Sequence, residues 1–161
     1  MTRFALVVPF PDLAPVVDEW RERTCVSKPS NGVPPHVTLL LPCPGDVDAL
    51  GELLASVGAF DVAFRDVGHF PGALWLAPEP AEPFHRLIAA LGRRFPDHPP
   101  YGGAYDDVIP HLTVAQGELD EAERVMRAQL PVYARAREAL LLEEVDAYRW
   151  RDAMSFPFEG A

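Results

Sequence analysis

The sequence predicts an α+β fold of two pseudo-symmetric lobes, each a small, mostly antiparallel sheet with outer helices, sharing a central cleft. Three observations carry this expectation. A chain of 161 residues that is 48% hydrophobic can bury a real core. The order strand, helix, loop, strand, helix, strand occurs twice along it. Each copy also contains nearly the same segment, Pro35-His36-Val37-Thr38-Leu39 and Pro110-His111-Leu112-Thr113-Val114. A repeat this long is a lobe rather than a solenoid unit. A pseudo-twofold axis would bring the two segments together at the centre, with helices over the outer sheet faces. Residues 1–161 are expected to form one bilobal unit of this kind.

Residues 4 to 9 read as a buried strand. Pro11 to Thr24 then reads as a helix, with Leu13, Val16, Val17 and Trp20 at helical spacing and Asp18, Glu19, Arg21, Glu22 and Arg23 between them. Ser27 to Pro35 is a loop rich in Pro, Ser, Asn and Gly that delivers the first histidine strand. After Pro42 to Gly45, Asp46 caps a helix that runs to about Val57. Phe60 to Phe70 and Leu74 to Ala77 read as two strands joined at Pro71-Gly72. The second half repeats the order: a helix from about Glu82 to Phe95 with Phe84, Leu87, Ile88 and Leu91 as its apolar face, and a loop from Pro96 to Asp107. The second histidine strand follows, then a helix from about Leu119 to Leu130. A strand from about Ala139 to Tyr148 and a last strand near Met154 to Phe158 close the chain.

Composition narrows the function classes. The 24 acidic against 14 basic residues leave a net charge of −10, so no general affinity for long nucleic acid is expected. A few local donors could still hold a single phosphate. No apolar run is long enough to span a bilayer, and the opening Met1-Thr2-Arg3-Phe4 does not lead into a signal peptide, so a cytoplasmic protein without membrane association is expected. Cys25 and Cys43 fit no metal spacing and are expected to be reduced.

The two histidine segments carry the chemistry. In a strand, residues two apart share a face, so His36 with Thr38 and His111 with Thr113 present imidazole plus hydroxyl on one side while Val37, Leu39, Leu112 and Val114 enter the core. Two facing imidazoles suit a displacement that needs a proton taken at one end and given at the other. Phosphodiester cleavage has that demand, and two hydroxyls could stabilise the non-bridging oxygens. No metal or cofactor is required.

The paired motifs His36-Val37-Thr38-Leu39 and His111-Leu112-Thr113-Val114 resemble the tandem His-x-Thr-x signature of the two-histidine phosphoesterase superfamily, whose members include bacterial RNA 2′,3′-cyclic phosphodiesterases, also called 2′-5′ RNA ligases. The resemblance runs through Pro71, the Tyr101-Gly102-Gly103 loop and the closing Arg149-Trp150 region, and so covers essentially the whole chain. It implies a bilobal fold and metal-independent opening of a cyclic phosphate by His36 and His111, with Thr38 and Thr113 on the phosphate oxygens. In some relatives it also implies reversible 2′-5′ joining of RNA ends without a nucleotide cofactor. The expected partner is a small cyclic-phosphate nucleotide or an RNA terminus, bound by a monomer. Many RNA-processing relatives follow the first motif with a basic residue and an aromatic; this chain has Leu40-Leu41-Pro42, which shifts the expectation toward a compact substrate. The alternative from another class is a nucleotide- or RNA-end-binding module without turnover.

Secondary candidates surround the motifs. Tyr101 and Tyr105 in the glycine loop could stack on a base, and Arg149 and Arg151 could reach a phosphate. His69, His85 and His98 read as ordinary surface histidines, and no metalloenzyme spacing of His and carboxylates is present.

Overall fold

A computed structural model describes residues 2–104 and 107–161. Two four-stranded antiparallel sheets form the framework. The first has the order β2-β1-β7-β8, and the second β5-β4-β3-β6. The strands are β1 (Phe4–Pro9), β2 (His36–Cys43), β3 (Phe60–Phe70), β4 (Ala73–Glu79), β5 (Leu112–Gln116), β6 (Val132–Ala136), β7 (Glu138–Asp146) and β8 (Arg149–Pro157). Among the described residues four α-helices complete the order: α1 (Ala14–Thr24), α2 (Val47–Leu54), α3 (Glu82–Arg94) and α4 (Asp120–Gln129).

The expected α+β architecture of two lobes is present, with one rearrangement. The lobes are not successive halves of the chain, because β3 pairs with β4 and β7 pairs with β1. The helices cross as well: α1 follows β1 yet packs on β5, and α3 follows β4 yet packs on β2. Each lobe is thus completed by the other half.

Apolar periodicity explains the packing. Leu6, Val8, Val37 and Leu39 of the first sheet join Leu74, Leu76, Leu112 and Val114 of the second in one core, beneath Val17 and Trp20 of α1 and Phe84, Leu87 and Leu91 of α3. Truncating a fully buried leucine such as Leu39 to alanine costs about 2–5 kcal/mol. A smaller cluster on the opposite face of the first sheet contains Ala5, Val7, Val33, Leu140 and Leu142, with Trp150 against it.

Local signals account for most boundaries. The Asp46 carboxylate accepts the Ala49 N–H at 3.1 Å, as expected for the cap of α2. That helix ends at Leu54, short of Val57. The stretch from Pro11 is a 3-10 turn as far as Leu13 before α1 begins, since two prolines near its start withhold N–H donors. Two differences lie near the C-terminus. Strand β6 occupies residues for which the sequence predicts no element, and β8 begins at Arg149 rather than near Met154. Both are short or exposed outer strands whose pairing, not their own apolarity, defines them.

Candidate active site

The histidine strands occupy touching edges. β2 is the outer strand of the first sheet and β5 of the second, and they approach within 8 Å between Cα atoms. Burial alternates along both as the motifs require: Val37, Leu39, Leu112 and Val114 are buried, while His36, Thr38, His111 and Thr113 are partly exposed. β5 starts at Leu112, so His111 stands one residue ahead of it.

Both imidazoles are held in the same way. His36 Nδ1 lies 2.8 Å from the Pro34 carbonyl, and His111 Nδ1 lies 2.7 Å from the Ile109 carbonyl. Each acceptor is two residues upstream, across Pro35 or Pro110. A proline there biases the residue before it toward extended backbone, which sets the direction of that carbonyl. Because a carbonyl only accepts, Nδ1 carries the proton in both rings, and the neutral imidazole keeps its lone pair on Nε2.

Burial dominates the electrostatics. It pushes His36 from 6.5 down to about 4; the bond to Pro34 opposes this, and positive charge on Arg21 and His111 adds to it. His111 is lowered by burial, against the bond to Ile109.

Behind the two rings the surroundings differ. Arg21 is 2% exposed, and its guanidinium donates to Asp18 Oδ1 at 2.7 Å and to the carbonyls of Ser27, Val33 and Pro34 at 2.8, 2.9 and 3.2 Å. The loop it holds turns at Gly32, where φ is 83° and an added Cβ would lie 2.1 Å from the Trp150 carbonyl oxygen. His111 instead meets aromatic rings: Phe70 edge-on at 4.9 Å and Trp75 at 5.8 Å. Trp75 stands opposite Thr113 and Gly68 in the ladder, and a Cβ on Gly68 would come within 2.3 Å of its indole. Its buried Nε1 has no hydrogen-bond partner among the described residues. A cavity of about 470 Å³ opens here, lined by Phe70, Pro71, Tyr101, Asp107, Val108, Ile109 and His111.

The other candidates divide. Tyr101 lines that cavity from the 3-10 segment Pro100–Gly103, which lies against β2, and it takes a left-handed φ of 52° that is uncommon for a bulky residue. Tyr105 lies outside the described residues. Arg149 and Arg151 are on β8, the sheet edge remote from β2, so the structure does not bring them to the histidines. Arg151 pairs with Glu143 at 2.8 Å, on the sheet face opposite Thr38, and Arg149 lies 3.8 Å from Asp146. His69 pairs with Glu123 at 2.6 Å, and His85 and His98 are exposed. Cys25 and Cys43 are buried free thiols.

Among the described residues no group of three or more His, Cys, Asp or Glu could hold a metal ion, and no helix is long and apolar enough to cross a membrane.

Arg21, Phe70 and Trp75 were not candidates from sequence. Arg21 could have been found, since it falls four residues after Val17 and beside Trp20, on the buried stripe of α1. Trp75 and Phe70 depend on the pairing of β3, β4 and β5 and had no comparable signal.

Comparison with known proteins adds sequence and fold likeness. The family described as the 2′-5′ RNA ligase superfamily matches residues 9–152. No curated protein sequence matches. Among solved structures, Escherichia coli LigT complexed with 3′-AMP is similar with a TM-score of 0.65 and 17% identity over 98% of each chain. LigT complexed with NADP+ gives 0.61 and 17%, covering 98% of this chain and 97% of its own. The protein TT0787 of Thermus thermophilus gives 0.65 and 20% over 98% of each chain.

Proposed function

The chain belongs to the 2′-5′ RNA ligase superfamily, which makes it a phosphoesterase- or ligase-type protein, and from that premise we propose that it opens a 2′,3′-cyclic phosphate on a nucleotide or RNA end without a metal. The observation that carries this reading is the matched pair of imidazoles on adjoining edge strands, each with Nδ1 engaged and Nε2 left for proton transfer.

In the proposed step a water oxygen attacks phosphorus as the bond from phosphorus to one ribose oxygen breaks. One neutral imidazole takes the water proton at Nε2. The other, protonated at Nε2, gives its proton to the departing ribose oxygen, and a phosphomonoester results. Burial holds both rings below their ordinary range, and a bound phosphate anion would favour the imidazolium that the donor needs. Thr38 and Thr113 would donate to the non-bridging oxygens. With a ribose 5′-hydroxyl in place of water as the attacking group, the same step, breaking the bond from phosphorus to the 3′ oxygen, would join ends through a 2′-5′ bond.

Aromatic surroundings support a nucleotide substrate. Phe70, Trp75 and Tyr101 beside His111 offer flat apolar surface to a base while the phosphate sits between the histidines. The paired Arg151 and the acidic balance favour a compact ligand over a long strand. The test is turnover of 2′,3′-cyclic nucleotides and short cyclic-phosphate oligonucleotides in excess EDTA, with His36→Ala and His111→Ala as controls. Activity that survives EDTA and is lost in both variants is expected. Activity abolished by EDTA, or unchanged in either variant, overturns the reading; binding without turnover in the wild-type protein points instead to an end-binding module.

A further inference from the structure

We propose that Arg21 is a positioning residue for His36: its buried guanidinium fixes the carbonyl that receives the His36 Nδ1 proton, and so fixes the direction of Nε2. The inference rests on the phosphoesterase reading for its consequence in turnover, but its structural content stands apart from that reading.

The geometry is specific. A loop that carries many free carbonyls would ordinarily satisfy them with water and move. Three of these carbonyls, Ser27, Val33 and Pro34, converge on one Nη2 at 2.8, 2.9 and 3.2 Å, while Nη1 is tied to Asp18 at 2.7 Å. A buried cation is tolerated only when so paired, and the planar fork of arginine matches several acceptors at once in a way an ammonium does not. Pro34 is the decisive member, because its carbonyl serves Arg21 and His36 together. Helix α1 thereby grips the entry to β2. The charged and titratable groups acting on His36 are Arg21 from α1 and His111 from beside β5.

The second half lacks such a device among the described residues. The buried face of α3 is Phe84, Leu87 and Leu91, with Arg93 and Arg94 exposed. The Ile109 carbonyl has His111 as its hydrogen-bond partner there. Arg21 also places a like charge near His36, while the Pro34 bond it supports acts on that ring in the opposite sense, so proton exchange at Nδ1 reads the positioning role directly.

The test compares Arg21→Met and Arg21→Lys with the wild-type protein by NMR of the imidazole nitrogens, alongside turnover. In Arg21→Met the His36 Nδ1 proton is expected to exchange faster than in the wild-type protein, and His111 to change little. On a cyclic nucleotide kcat should fall roughly tenfold to a hundredfold with KM nearly unchanged, as for a misaimed catalytic group. Arg21→Lys keeps the charge and gives up the fork. It should likewise exchange the His36 Nδ1 proton faster than the wild-type protein, and it decides the matter if the methionine variant does not fold. Wild-type exchange at His36 in a folded Arg21→Met, or in Arg21→Lys, overturns the proposal. If no cyclic phosphate is turned over even by the wild-type protein, the functional reading fails while the nitrogen spectra still decide the role of Arg21.

Discussion

The two histidine strands are alike in backbone and unlike in what backs them. His36 and His111 each follow a proline, each donate Nδ1–H to the carbonyl two residues upstream, and each precede a threonine on the same strand face. Behind His36 stands a polar clamp built from Arg21, Asp18 and a loop pinned over Trp150. Behind His111 stand Phe70 and Trp75 and an open cavity. The two motifs share an imidazole and its carbonyl acceptor, while their surroundings differ: a buried arginine clamp behind one and a cavity beside the other. The shared features are those the proposed displacement uses twice, and the unshared ones are those that one substrate needs once.

The strongest way to break this comparison is to remove each imidazole. His36→Ala and His111→Ala are each expected to lower kcat by about 10²–10⁴, and the double variant should be little worse than the weaker single, because the two act as a unit. A large loss at one histidine and none at the other would end the equivalence. Next come the hydroxyls. Thr38→Val and Thr113→Val, nearly isosteric in a β-strand, should each cost about 10²–10³ in kcat with the melting temperature almost unmoved. A hundredfold loss at one threonine alone would mean that the phosphate leans on a single half.

Acid titration probes the buried rings without any substrate. The His36 midpoint lies near 4 in the folded chain and near 6.5 when unfolded. The unfolded chain therefore binds the extra proton first, and stability is expected to be full above about pH 6.5 and to fall as pH drops toward 4. This one group contributes a loss on the order of 3 kcal/mol. Denaturant unfolding of the wild-type protein and His36→Gln across that window should show a shallower pH slope in the variant. His111 is shifted in the same direction, so His111→Gln should flatten the slope too. Equal slopes in wild type and His36→Gln would remove the claim that His36 is desolvated.

Much of this framework is legible in the order of residues alone. Strand alternation around the two motifs is a local property, so the buried and exposed assignments of residues 36–39 and 111–114 hold, as do β3 from Phe60 to Phe70 and the Asp46 cap. What is not legible depends on partners. The exchange of β3 and β7 between lobes follows from pairing that no single strand encodes. β6 is a five-residue outer strand directly after Pro131, too short to carry a period of its own. Arg149 and Arg151 form a basic and aromatic cluster in the sequence, yet their neighbours in space are Asp146 and Glu143. A charge is only as available as its partners allow.

The smallest of these effects sharpens the comparison most, because it concerns the surroundings of His111 alone. Trp75 lies over Gly68, against Phe70 at 5.0 Å and near His111, its buried Nε1 unpartnered among the described residues. A tryptophan on the face shared with Thr113 adds little to the main core, which is made by Leu74 and Leu76 on the other face of the same strand. Its value should therefore lie in the ligand. Stacking of one base on an aromatic ring is worth about 1–3 kcal/mol, so Trp75→Leu is expected to raise KM for a cyclic nucleotide about tenfold or more. A cyclic phosphate bearing no base should lose nothing. Comparing the two substrates separates stacking from a general loosening around His111, since loosening would lower kcat for both. Equal effects on the two substrates would make Trp75 a support for His111, as Arg21 is for His36, and the halves would then differ only in how they hold their histidines.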